Sequence, residues 1–174
     1  MKYLYIIGLI FILYSCNNKP AVQAPDLRSI KQEYKEPLMD WNKEKLKDQE
    51  FVISKYAERR NWEMTRTETG LYYQIYKEGN GEVADSGMYA TYDFEIHLLN
   101  GDYCYSSDSI GSRTLELGKA PIQRGLDEAL LKMKVGDKAY VILPPHLAYG
   151  LPGDGNKIPR DAILVYNLEL KNLK

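Results

Sequence analysis

The clearest pattern in the chain is alternation. Over residues 89–98, Ala90, Tyr92, Phe94, Ile96 and Leu98 fall on one side and Tyr89, Thr91, Asp93, Glu95 and His97 on the other. A period of two sends successive side chains to opposite faces, so this stretch predicts a strand with one buried face. The period returns over 163–173, with Leu164, Tyr166, Leu168 and Leu170 inward and Asn167, Glu169 and Lys171 outward. Residues 71–76 and 138–143 read as further strands, and 103–106 and 114–117 as short ones. Asn100-Gly101 is a strong hairpin signal, and residues 78–81 form a turn. Ile122, Gly125, Leu126, Ala129, Leu130 and Met133 recur at helical spacing, and the pattern stops near Gly136. Residues 146–160 form a loop rich in Gly and Pro. The expected fold is α+β: an antiparallel sheet of about five strands curled around one short helix, preceded by an N-terminal helix.

That preceding helix is expected over 38–61, within a helical segment assigned to 38–66. Leu46, Ile53, Tyr56, Ala57 and Arg60 fall near one face, and Asp40 is a candidate N-cap. The helix either docks on the domain or serves as a dimerisation arm. Its modest length favours docking, and the chain is expected to be monomeric.

The start of the chain reads as an address. After Lys2, residues 3–14 are almost wholly apolar. As a helix they reach about 18 Å, short of a hydrocarbon core of ~30 Å, which fits a secretory signal rather than a span. The run ends in Leu13-Tyr14-Ser15-Cys16, which resembles the lipobox of bacterial lipoproteins. The resemblance implies a signal peptide over 1–15 and a lipid on Cys16. Residues 16–37, with Pro20, Pro25 and Pro37, read as a tether of at most about 70 Å. Asn17 is not the Asp associated with inner-membrane retention, so a periplasm-facing outer-membrane anchor is favoured. With Cys16 lipidated, Cys104 has no intramolecular partner and is expected to be a small buried hydrophobe. The competing possibility is a bridge between the two.

Composition narrows the chemistry. The chain has 174 residues, room for one domain and an appendage, and a net charge of −1 that gives no footprint for nucleic acid. Two histidines and two cysteines leave little for a metal site, and no metal or cofactor is expected. His97 lies on a polar strand face, and His146 lies in a loop. The glycines of 79–81 and 150–155 lack the strand–loop–helix setting of phosphate loops. No nucleophile–base arrangement stands out. Fifteen tyrosines against three phenylalanines favour aromatic groups with a polar end. What remains is a site with apolar and aromatic walls and a few polar groups.

Four segments in register then resemble one family. Residues 118–129 (GKAPIQRGLDEA), 133–138 (MKVGDK), 143–150 (LPPHLAYG) and 158–166 (IPRDAILVY) are similar to successive motifs of FKBP-type peptidyl-prolyl isomerases. Order and spacing hold over 67–174, which is therefore assigned as the FKBP-like domain. Among lipoprotein members, the chain most resembles those associated with gliding motility.

The resemblance implies rotation about X–Pro bonds in proline-containing exported polypeptides. It also implies a set of site residues. Tyr149 is retained with its hydroxyl aimed at substrate. Gln123 supplies a backbone N–H for a substrate carbonyl, and Phe94 stands where the family has a pocket Tyr. These three are the expected catalytic residues. Ile122 and Ile158 form apolar walls, Leu126 replaces a Trp floor, and Tyr166 replaces a Phe. Residues 104–107 (CYSS) stand for the family's FDSS, so Cys104 takes the place of a pocket Phe and Tyr105 that of an Asp. Another pocket Phe falls at Arg113. The retained residues favour an isomerase of envelope proteins. The replaced ones favour a catalytically weak binding or chaperone module for an envelope assembly.

Overall fold

The computed structural model describes residues 27–119 and 124–174, with side chains at Lys35 and from Pro37 onward. The signal segment, Cys16, Ile122 and Gln123 lie outside the described residues. The chain divides into two compact units, Met1–Glu44 and Lys45–Lys174.

One helix, α1 (Leu27–Glu58), crosses from the first unit into the second. It begins inside the segment read as a tether and runs through Pro37. Asp40 therefore lies within the helix and is not its N-cap. Good helix formers on both sides of Pro37 (Lys31, Gln32 and Glu33 before it, Lys43, Glu44 and Lys45 after) offset the missing N–H of proline. In the first unit, Leu38, Met39 and Trp41 are exposed, and Asp40 pairs with Lys43 at 3.7 Å. Among the described residues no helix is long and apolar enough to cross a membrane.

In the second unit the strands are β1 (Thr65–Arg66), β2 (Tyr72–Lys77), β3 (Tyr89–Leu98), β4 (Tyr103–Ser106), β5 (Arg113–Glu116), β6 (Lys138–Leu143) and β7 (Leu164–Leu173). A short helix α2 (Ser107–Ile110) separates β4 from β5, and α3 (Arg124–Leu130) precedes β6. The described strands form one antiparallel sheet in the order β1-β2-β6-β7-β3-β4, with β5 also on β3. The count exceeds five because both short stretches read beyond β3 form strands on it, β4 and β5, and the two-residue β1 extends the edge at β2. β4 pairs with Glu95, Ile96 and His97 of β3, while β5 pairs with its first half, Tyr89 to Tyr92.

The two periods seen in the sequence set the two faces. Ala90, Tyr92, Phe94 and Ile96 of β3 are buried, as are Leu164, Tyr166, Leu168 and Leu170 of β7. They join Leu126, Ala129, Leu130 and Met133 in one core, with α3 against that face of the sheet. The opposite face carries a smaller cluster of Ile53, Tyr56, Tyr72, Ile142 and Val165. This part of α1 docks on the sheet through Ile53 and Tyr56. Leu46, expected on that face, is 46% exposed, because the contact begins a turn or more later. Trp62 stacks on Tyr140 at 4.0 Å, and Tyr76 on Tyr140 at 4.3 Å, so tyrosines pave this outer face.

Candidate prolyl-binding site

The site begins with strand register. Ile96 lies opposite Tyr166, Phe94 opposite Leu168 and Tyr92 opposite Leu170. Inward residues two apart on neighbouring strands meet on one face, so Tyr92, Phe94, Ile96 and Tyr166 form a continuous wall. Leu126 comes to it from α3, and Arg113 from β5, where it sits opposite Tyr92. These six residues line one cleft, and all but Arg113 are buried. The rings of Tyr92 and Phe94 are 5.8 Å apart and tilted by 49°. The Arg113 guanidinium stands 5.3 Å from the Phe94 ring centre, a cation–π distance.

Close packing holds α3 in place. A methyl group at Gly125 would lie 2.6 Å from Leu143 Cδ2 and 2.8 Å from Leu147 Cβ. Only glycine lets the helix approach β6 and the turn Pro145–Leu147 this closely, and that approach sets the height of Leu126. Tyr149 follows the same turn. Gly150 closes it with φ of +62°, its N–H donating to Pro145 O at 2.8 Å. Tyr149 is half-buried against the core and lies within electrostatic reach of Tyr92 and Tyr166.

A second wall comes from β4 and the 150–161 loop. Cys104 is 1% exposed and unpaired, and its Sγ sits 3.8 Å from Lys157 O. Burial, followed by the nearby Asp154, pushes its thiol up. Beside it, the Tyr105 hydroxyl donates to Asp154 Oδ2 at 2.5 Å. Asp154 Oδ1 accepts the N–H groups of Asn156 at 2.9 Å and Ile158 at 2.8 Å. Burial alone would raise the Asp154 carboxyl. The Tyr105 hydroxyl and these N–H groups outweigh it and hold the carboxyl below its ordinary value. The bond to Asp154 in turn raises Tyr105. Gly153 makes the loop possible, since a side chain there would lie 2.4 Å from Ile158 O at φ of +69°. The Lys157 ammonium rests 5.2 Å from the Tyr103 ring and 5.3 Å from the Tyr105 ring.

The structure thus brings Phe94, Leu126 and Tyr166 into one cleft, with Cys104 and Ile158 buried in the surrounding core and Tyr105 and Tyr149 packed against it. Asp154 falls in the loop expected over 146–160, and its bond to Tyr105 spans too much sequence for any local signal. Its Asx-type acceptance of the Asn156 N–H is the one local cue. Tyr92 and Ile96 were visible only as inward strand residues. Both histidines serve elsewhere. His97 pairs with Glu95 at 2.9 Å, and His146 Nε2 contacts Thr69 O at 2.9 Å.

The chemistry available is binding and polarisation, not proton transfer. Burial pushes the Tyr92 hydroxyl up to about 12 and raises Tyr166 well above the usual range. Both stay neutral donors. The Tyr166 hydroxyl is buried without a hydrogen-bond partner among the described residues. No cluster of metal-ligating side chains occurs among them.

Comparison with known proteins agrees with this geometry. FKBP-type peptidyl-prolyl cis-trans isomerase is the family that matches residues 80–171. FK506-binding protein 1 of Dictyostelium discoideum is 35% identical over 60% of this chain and 99% of its own. Human peptidyl-prolyl cis-trans isomerase FKBP9 is 36% identical over 52% of this chain, which spans only 16% of that relative's length. FkpA of Buchnera aphidicola, named an FKBP-type isomerase, is 32% identical over 76% of this chain and 51% of its own. The crystal structure of AtFKBP13 superposes with a TM-score of 0.61 at 27% identity, covering 64% of this chain and 99% of that one. With its sheet wrapped on α3 and its cleft between β3, β7 and that helix, the chain belongs to the FKBP-type peptidyl-prolyl cis-trans isomerase family.

Proposed function

We propose that the chain catalyses cis–trans isomerisation of X–Pro bonds in exported envelope polypeptides from a lipid anchor at Cys16. The convergence of the buried side chains of Phe94, Leu126, Tyr166, Tyr92 and Ile96 on one cleft carries the reading. Amide resonance sets a barrier of about 18–20 kcal/mol to rotation. Twisting the bond removes that resonance and its charge separation, so an apolar pocket favours the twisted amide over either planar isomer. The prolyl ring enters against Phe94, Leu126 and Tyr166. Tyr149 donates to a substrate carbonyl, and Ile158 contributes an apolar wall. Gln123, through its backbone N–H, and Ile122 are assigned to the same site by the family resemblance alone. No acid or base is needed, which suits a site whose Tyr92 and Tyr166 hydroxyls stay neutral.

A protease-coupled isomerisation assay on the chain, with X–Pro peptides of several X, tests this. Acceleration that falls at least tenfold in Phe94→Ala and several-fold in Tyr149→Phe supports it. Equal rates in both variants would remove the site assignment. For the anchor, radiolabelled palmitate should enter the wild-type chain and not Cys16→Ser, and the label should fractionate with outer membranes.

One observation favours a second reading, an envelope-assembly binding module with little turnover. The carboxylate expected at position 105 is a tyrosine, and the nearest one, Asp154, is held by the Tyr105 hydroxyl. Folded protein that binds prolyl peptides without accelerating them would favour that reading.

A further inference from the structure

The charges around the cleft are arranged asymmetrically. Six of the eleven lysines from Lys45 onward face a carboxylate; among them, Lys45 meets Asp161, Lys134 meets Glu78, Lys138 meets Glu169, and Lys171 meets both Asp93 and Glu169. Arg113, which lines the cleft, and Lys157, on the 150–161 loop over Tyr105, do not. Among the described residues, neither Arg113 nor Lys157 forms an ion pair, and each rests on aromatic rings instead. Arg113 lies over Phe94, and Lys157 over Tyr103 and Tyr105.

Asp154 and Asp93 are already engaged. Asp154 takes the Tyr105 hydroxyl and two backbone N–H groups. Asp93 takes the Ser112 hydroxyl and lies 3.7 Å from Lys171. Arg113 lines the cleft itself. The guanidinium rests over the Phe94 ring, and its planar fork loses less side-chain freedom per hydrogen bond than an ammonium when it meets an anion. A planar guanidinium over a ring leaves its N–H edge free to grip a carboxylate.

We infer that the site selects proline segments carrying a carboxylate beside the isomerising bond, with Arg113 as the principal selector and Lys157 as a second cation at the rim. This rests on the cleft being the prolyl site. The expected substrates are Glu-Pro or Asp-Pro segments, disfavoured when Lys or Arg takes the same place. An exposed ion pair supplies roughly up to fivefold per cation at low salt. The preference should shrink as added salt shortens the screening length to about 3 Å at 1 M.

The test uses the chain with matched Glu-Pro, Ala-Pro and Lys-Pro peptides. Both kcat/KM and binding, by fluorescence anisotropy of labelled peptides, are measured at low and high salt. We expect Glu over Lys by about fivefold to twenty-fivefold at low salt, collapsing toward unity in Arg113→Gln and shrinking in Lys157→Gln. Lys77→Gln, at the far end of β2, should leave the ratio unchanged. Thermal unfolding of each variant confirms folding. Turnover with no charge preference, or a preference that survives Arg113→Gln, overturns the inference while leaving the isomerase reading in place. Charge-selective binding without turnover upholds it and removes the isomerase reading. Neither binding nor turnover for any peptide overturns both.

Discussion

Tyr166 is the residue where stability and function pull apart. Its hydroxyl is buried at the cleft without a partner among the described residues, and such a group costs roughly 1–3 kcal/mol in lost hydration. Tyr166→Phe should therefore stabilise the free domain by about 1 kcal/mol, read as a higher denaturant midpoint with an unchanged slope. An unchanged midpoint would mean that the hydroxyl is already satisfied. The titrating groups give a second expectation. Burial raises the Tyr92 hydroxyl to about 12, and the bond to Asp154 raises Tyr105, so neither ionises near neutral pH. Asp154 is lowered in the folded state, so its contribution is present above the unfolded carboxyl value of ~3.9 and is lost as pH falls through its folded value. Isomerisation should be flat from about pH 5 to 9 and fall only in acid. A bell centred near 7 would indicate a proton-transfer group that this site does not contain.

At the scale of elements, α3 is fixed by an absence. Gly125 lets the helix lie against Leu143 and Leu147, and Gly125→Ala must push them apart. Overpacking of this kind costs typically ~1–3 kcal/mol, more than the ~1 kcal/mol gained by replacing glycine in a helix. The variant should melt earlier and lose peptide affinity as Leu126 shifts. A rise in melting temperature would show that the helix has room. The alternating strands β3 and β7 were legible in the sequence because one face is buried and the other wet, so the period writes itself into residue type. The short helix was legible for the same reason at its own period, although it ends at Leu130 and Met133 is buried in the turn beyond. The start of α1 was not legible. Pro37 reads as a boundary, yet the residues on either side favour helix strongly enough to carry it through. The split of the edge into β4 and β5 was legible as two short strands, whereas the four-residue α2 between them was not.

On the scale of the whole domain, the site is a product of contacts distant in sequence. Phe94, Leu126 and Tyr166 could be assigned to inward faces one by one, and the family resemblance joined them. The Tyr105–Asp154 bond and the resting places of Arg113 and Lys157 required the fold, because local pattern says nothing about which ring a cation will cover. Two of these residues, Tyr105 and Arg113, stand where the family resemblance implies an Asp and a Phe, and the Tyr105 hydroxyl is bonded to the loop carboxylate Asp154. The central claim is that this altered cleft still turns over proline bonds. It is tested most directly by NMR exchange spectroscopy on a Glu-Pro peptide held at equilibrium with a small fraction of the chain. The account predicts cis–trans exchange cross-peaks that build up in the presence of the wild-type protein and vanish with Phe94→Ala. A folded wild-type chain that leaves the exchange rate at its uncatalysed value, for this peptide and for Ala-Pro alike, would contradict it.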